Sequence, residues 1–108
     1  MNTYERKIGR LSIASRSGRR IAFTACVDRD LTGAAIEAVV VSLIGRDTIV
    51  TATTTFLGHS PPQSSVLVEL SVADVEKLGI GTFGWRMSVT PPGGATQDLL
   101  IGTLEIKP

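Results

Sequence analysis

The 108 residues hold one cysteine, one histidine, one tryptophan and one tyrosine, and each scarcity excludes a class of chemistry. With Cys26 alone, neither an intrachain disulfide nor a thiolate metal cluster can form, so a reducing cytoplasm is the expected place of folding. Within the run Ile21–Val27, Cys26 reads as a small buried hydrophobe. Aromatics make up 5% of the chain. Trp85, in phase with Phe83 and Met87, reads as core packing rather than as the exposed stacking surface that a carbohydrate binder displays, while the basic segment has only Tyr4 to interleave for single-stranded nucleic acid. No apolar stretch approaches the roughly 18 residues of a membrane span. The longest, Ala34 to Ile44, is interrupted by Glu37 and Ser42, and the opening Met1–Lys7 has no signal-peptide core.

Catalytic groups are equally sparse. His59 lies in Leu57-Gly-His-Ser-Pro-Pro62. Neighbouring residues of an extended segment point apart, so His59 and Ser60 make no base–nucleophile couple, and His59 reads as an exposed loop histidine. Asp28 and Asp30 flank Arg29, but the distal glutamate of a calcium loop is missing. The pair reads as turn carboxylates bonded to local amides and to Arg29. No glycine-rich phosphate loop precedes a helix. The sequence therefore implies no enzyme, cofactor, metal site or small-molecule substrate.

What remains is strand and turn. Phe83, Trp85, Met87 and Val89 alternate with Gly84, Arg86 and Ser88, and Val66, Val68 and Leu70 alternate with Ser65, Leu67 and Glu69. Ile21, Phe23, Ala25 and Val27 line one face of an earlier strand. Ile36 to Ile44 is nearly continuous, as in a strand covered on both sides, and Thr48 to Phe56 reads as one strand with Val50, Ala52 and Phe56 inward. Leu99 to Ile106 closes the chain, and a short strand fits Leu11 to Ala14. The one helix signal is Ser71–Leu78, with Ser71 as N-cap, Asp74 in the capping-box position and Gly79 as the stop. Turn residues at 31–33, 45–47, 58–62, 79–81 and 91–94 punctuate the strands. The pattern predicts an all-β antiparallel sandwich of immunoglobulin-like architecture, with about six or seven strands and one short helix.

Charge is uneven. In residues 1–20, Arg6, Lys7, Arg10, Arg16, Arg19 and Arg20 oppose only Glu5, a net of +5. The other 88 residues hold five basic and nine acidic side chains, a net of −4. This divides the chain into a basic N-terminal arm, 1–20, and a sandwich domain, 21–108. On that reading the six basic residues form a partner-binding surface, and truncation through residue 20 leaves a folded sandwich.

The Leu31-Thr-Gly33 turn leading into Ala34–Ile44, the Leu70–Leu78 strand-then-helix segment, Gly81-Thr-Phe-Gly-Trp85, the Pro92-Gly-Gly94 turn and the terminal Leu99–Ile106 run occur in that order. In this order of elements, over about four fifths of its length, the chain resembles the N-terminal domain of the phage baseplate upper-protein family. The resemblance implies a non-enzymatic structural protein of a phage virion, in tail, baseplate or head surface, assembled in the host cytoplasm. Its expected partners are copies of itself and other virion proteins, with no membrane; nucleic-acid contact by the basic arm is a third option, ranked below these. The competing expectation is a carbohydrate-binding or adhesive sandwich presenting the loops 58–62 and 91–95.

Overall fold

A computed structural model describes residues 9–108, and these build two sheets packed as an all-β sandwich with a single helix. The strands are β1 (Gly9–Arg10), β2 (Ile13–Arg16), β3 (Ile21–Val27), β4 (Ala35–Val41), β5 (Thr48–Thr51), β6 (Thr53–Ser60), β7 (Gln63–Leu70), β8 (Gly81–Thr90) and β9 (Gln97–Lys107), with α1 (Val72–Leu78) between β7 and β8. The larger sheet has the order β1-β9-β8-β4-β5, with β2 also on β9, and the smaller is β3-β7-β6. All pairings are antiparallel except those of β1 and β2, which run parallel along β9.

Alternation decides the core. Ile21, Ala25, Val27, Val66, Val68 and Leu70 on the smaller sheet face Ala38, Val40, Val50, Trp85, Met87, Val89, Leu104 and Ile106 on the larger. The continuous apolar run ends its strand at Val41, and Leu43 and Ile44 turn outward into solvent. Within that run Val39 and Val41 are buried on the sheet's other face, apart from the main core.

Two inward assignments need correcting. Cys26 is exposed, because it is out of phase with the buried Ala25 and Val27 and shares the outer face with Thr24. Its sulfur lies 3.7 Å from Ser65 Oγ on the neighbouring strand. Phe56 lies opposite Val66 but is 38% exposed, beside the register shift between Phe56 and Gly58.

The segment 48–56 is two strands, one in each sheet. At Ala52 the amide donates to Ala38 O (2.8 Å), the chain leaves the larger sheet, and β6 begins in the smaller. Thr54 Oγ1 then donates to Ile36 O across the sandwich (3.1 Å). Threonine suits such a corner, since its methyl packs while its hydroxyl meets a carbonyl that the change of sheet leaves free.

The helix follows its caps. Ser71 Oγ accepts from the Asp74 amide (3.1 Å), the Asp74 carboxylate accepts from the Ser71 amide (3.2 Å), and Gly79 ends the helix at φ 76°. Val75 and Leu78 are its buried residues. At 91–94, Gly94 N donates to Pro91 O and Gly93 takes φ 70°, the conformation that the third position of a type II turn requires.

Within residues 9–16, grouped by charge with an arm, β1 and β2 are strands of the larger sheet. Leu11 N donates to Ile101 O (3.0 Å) and Ser17 N to Lys107 O (2.8 Å), so the segment follows the edge of β9 throughout. Trp85 is 4% exposed, its ring meets Phe23 edge-on at 5.2 Å, and its Nε1–H donates to Leu11 O at 2.7 Å. Gly102 makes room for this contact: a Cβ there would stand 1.7 Å from Leu11 O and 2.8 Å from Trp85 Nε1.

Three outcomes follow for thermal or denaturant unfolding. Trp85→Ala should cost about 3–5 kcal/mol through the cavity it leaves. Gly102→Ala should cost about 1–3 kcal/mol, because the obstructing atom is backbone and the strand itself must move. Deletion of residues 1–16 should destabilise the sandwich by uncovering β9 and leaving the indole N–H without its acceptor. An unfolding midpoint equal to that of the full chain would show that these strands add nothing.

Candidate binding cleft and the placement of the basic residues

The basic residues singled out by composition do not form one surface. Arg6 and Lys7 lie outside the described residues. Arg16 ends β2 beside Lys107, and Arg19 is exposed in the turn before β3. Arg20 is held within the chain, its guanidinium 2.6 Å from Glu69 Oε2. That pair is largely exposed and contributes on the order of 0–1 kcal/mol. Of the four within the described residues, Arg10 lines a concave site.

That site is a cleft of about 300 Å³ on the outer face of the larger sheet. Strand parity constructs it. With Trp85 and Met87 facing the core, Arg86 must face outward, and its register neighbours on that face are Val39 and Ile101. Arg10 lies opposite Ile101 and enters from β1. The third cation, Arg46, comes from the β4–β5 turn, where it holds φ 57°, a left-handed conformation uncommon for a residue with a side chain. Ser42 braces that turn, accepting from Ile44 N (3.2 Å), donating to Ile44 O (2.6 Å) and bonding through its amide to Asp47 O.

Ser12, Ser42 and Thr103 add hydroxyl-bearing side chains to the lining, and Val41, Leu43 and Ile101 form its apolar wall. At Gly84 the floor has no side chain; a Cβ would meet Val41 Cγ2 at 3.0 Å and Leu43 Cδ2 at 3.7 Å. The one carboxylate lining the cleft, Asp98, accepts from Ser88 Oγ at 3.1 Å. Ion pairs among the described residues join Arg20 to Glu69, His59 to Asp30 and Lys107 to Glu105, and none reaches the cleft. Among the described residues, three guanidinium groups and one carboxylate thus give the lining a formal charge of +2. Arg46 and Arg86 carry no sequence motif, and only the fold brings them to Arg10.

A second cluster corrects the reading of His59. The residue is not in a loop: β6 runs through Ser60, and the turn is at Pro61-Pro62. Its side chain is 19% exposed, with Nδ1 3.0 Å from Ser64 Oγ and Nε2 4.0 Å from Asp30 Oδ2. Ser64 is fully buried, and its hydroxyl also accepts from Leu31 N at 3.1 Å. With one proton and two lone pairs, this single hydroxyl can serve the Leu31 amide and His59 Nδ1 together. The three residue types are those of a hydrolytic triad, but a serine without solvent access offers no nucleophile to a substrate. The trio ties the β6–β7 hairpin to the loop that carries the buried Leu31.

The aspartates there also differ from expectation. Asp30 accepts from Thr32 N (2.9 Å), as expected, but Asp28 accepts from Gln63 Nε2 (3.2 Å) and Arg29 donates to Gln97 (2.8 Å). Hydrogen bonds from Thr32, helped by the nearby His59, hold the Asp30 carboxyl below its ordinary 3.8.

Fold and sites together define a small all-β sandwich with a cationic cleft on its larger sheet. No protein-family model and no curated protein matches the chain.

Ser64→Ala should cost more stability than His59→Ala. The first leaves the buried Leu31 amide without an acceptor, about 1–3 kcal/mol, whereas the second leaves that bond intact, about 0.5–1.5 kcal/mol. Equal losses in denaturant titrations would contradict the tie. A carboxyl whose folded pKa is depressed stabilises above the unfolded value and loses that contribution as pH falls below it. Asp30→Asn should therefore flatten the acid limb of the stability curve below about pH 4. An unchanged acid limb would mean that the Asp30 charge plays no part.

Proposed function

We propose that this chain is a non-enzymatic structural module that works by packing against copies of itself. The observation that carries the reading is the chemistry of the smaller sheet's edges. β3 (IAFTACV) and β6 (TTTFLGHS) are its two outer strands, and neither contains Lys, Arg, Asp, Glu or Pro. Edge strands of proteins that remain monomeric are ordinarily guarded by a charge, a proline or a short length, since unpaired amides and carbonyls otherwise template another strand. Among the described residues both edges are long and free of such charges and prolines, β6 bears only the register shift at Phe56/Gly58, and Leu57 on it is 53% exposed. Pairing of β3 or β6 with a second copy satisfies the free backbone groups and builds a symmetric assembly.

The setting proposed for that assembly is a phage virion, as the order of elements shared with the baseplate upper-protein domain implies. The sugar-binding alternative finds no feature in its favour here, since Trp85 is occupied in the core and Phe56 is the sole large exposed aromatic among the described residues.

Sedimentation velocity over a concentration series tests the assembly. The full chain should form a defined oligomer, and Thr24→Lys with Thr55→Lys, both at exposed positions, should return it to monomer with an unchanged circular dichroism spectrum. A full chain that stays monomeric at high concentration would overturn the reading.

A further inference from the structure

The arginine cleft calls for an occupant of its own. It lies on the outer face of the larger sheet, whereas the strand edges argued to carry assembly belong to the smaller, so the two surfaces are independent. Arg10, Arg46 and Arg86 converge there without an ion-pair partner among the described residues. Like charges gathered on a small surface repel, and one of the three occupies a left-handed backbone conformation. Local strain of this kind persists where the surrounding structure enforces it and clusters at ligand sites.

The lining has two chemistries. Guanidinium groups present planar forks that match an oxyanion bidentately. Beside them, Val41, Leu43 and Ile101 offer an apolar wall. A volume of about 300 Å³ is at the lower end of small-molecule sites and too confined for a duplex or a lipid surface. Such extended partners require a broad basic face, and Arg16, Arg19 and Arg20 lie outside this lining.

We propose that this cleft binds a small organic oxyanion, a phosphate or sulfate monoester carried on a compact apolar body. Arg10, Arg46 and Arg86 hold the oxyanion. Ser12, whose hydroxyl accepts from Thr103 Oγ1 at 3.2 Å, keeps its own proton for the oxyanion, and the apolar wall takes the ester's body. Asp98 sets the balance at +2, which suits a phosphate monoester's two charges better than a sulfate's one.

The test is titration of the full chain with phenyl phosphate, phenyl sulfate, inorganic phosphate and phenol. Calorimetry is the signal, and fluorescence of Trp85, the only tryptophan and the strand neighbour of Arg86, is the check on the same samples. Saturable binding of an ester, about tenfold tighter than inorganic phosphate and absent with phenol, is expected. A tighter phosphate than sulfate ester assigns the dianion, and the reverse order assigns the monoanion. Arg86→Met, which keeps an apolar stem, should weaken ester binding about tenfold or more.

Should Arg86→Met fail to fold, Arg46→Gly serves in its place. Glycine adopts φ 57° without strain, so this variant should keep or raise the unfolding midpoint while losing affinity. No saturable signal with either ester, equal binding of phenol, or ester affinity unchanged in Arg46→Gly would overturn the proposal.

Discussion

The contact on which the most structure depends is the hydrogen bond from the Trp85 indole to Leu11 O. Trp85 stands in the inner row of the larger sheet, presses its ring against Phe23 of the smaller, and spends its one polar group on Leu11, between β1 and β2. One side chain therefore couples both sheets to the edge along β9. Burying an indole without an acceptor is costly, and the carbonyl can reach it only because Gly102 has no side chain. Tryptophan at 85, glycine at 102 and the path of residues 9–16 form one constraint.

That constraint has a counterpart on the sheet's outer face. The strand that buries Trp85 must present Arg86 to the opposite side, and the segment that gives up the Leu11 carbonyl brings Arg10 beside it. The cationic cleft is thus a by-product of how the core is fastened, completed by the braced turn at 42–47. The smaller sheet is built differently. Its strands are anchored through alternating Val and Leu, and its edges carry no charge to deter a neighbour. Charge is concentrated on one sheet and bare strand edges on the other, which gives the two surfaces separate roles.

The local readings that the structure overturns have two causes: Cys26 goes against the period of its own strand, and the others depend on a neighbouring strand. Cys26 sits in an apolar run, yet counting by twos from Ile21 places it with Thr24 on the outer face. His59 beside Ser60 offers no chemistry, whereas His59 and Ser64 meet across the β6–β7 hairpin, where register pairs them directly. The stretch 48–56 has uniform strand propensity, and nothing in its composition marks Ala52 as the crossing point. The crossing depends on a bond to Ala38, a residue of another strand.

What the sequence by itself determined is what period and local bonding control: all-β class, the inner rows on β3, β7 and β8, the capped helix at 72–78 and the turn at 91–94. A side-chain period of two and a capping box are properties of neighbours in the chain, so they are legible without a fold. Tertiary structure alone decided that the basic segment from residue 9 is paired strand, that Arg10, Arg46 and Arg86 converge, and that Ser64 is sealed beneath His59. Each of these depends on strand order and register between residues from five to more than ninety positions apart. Composition carries charge but not its position, because position is set by the strand that each residue lies against.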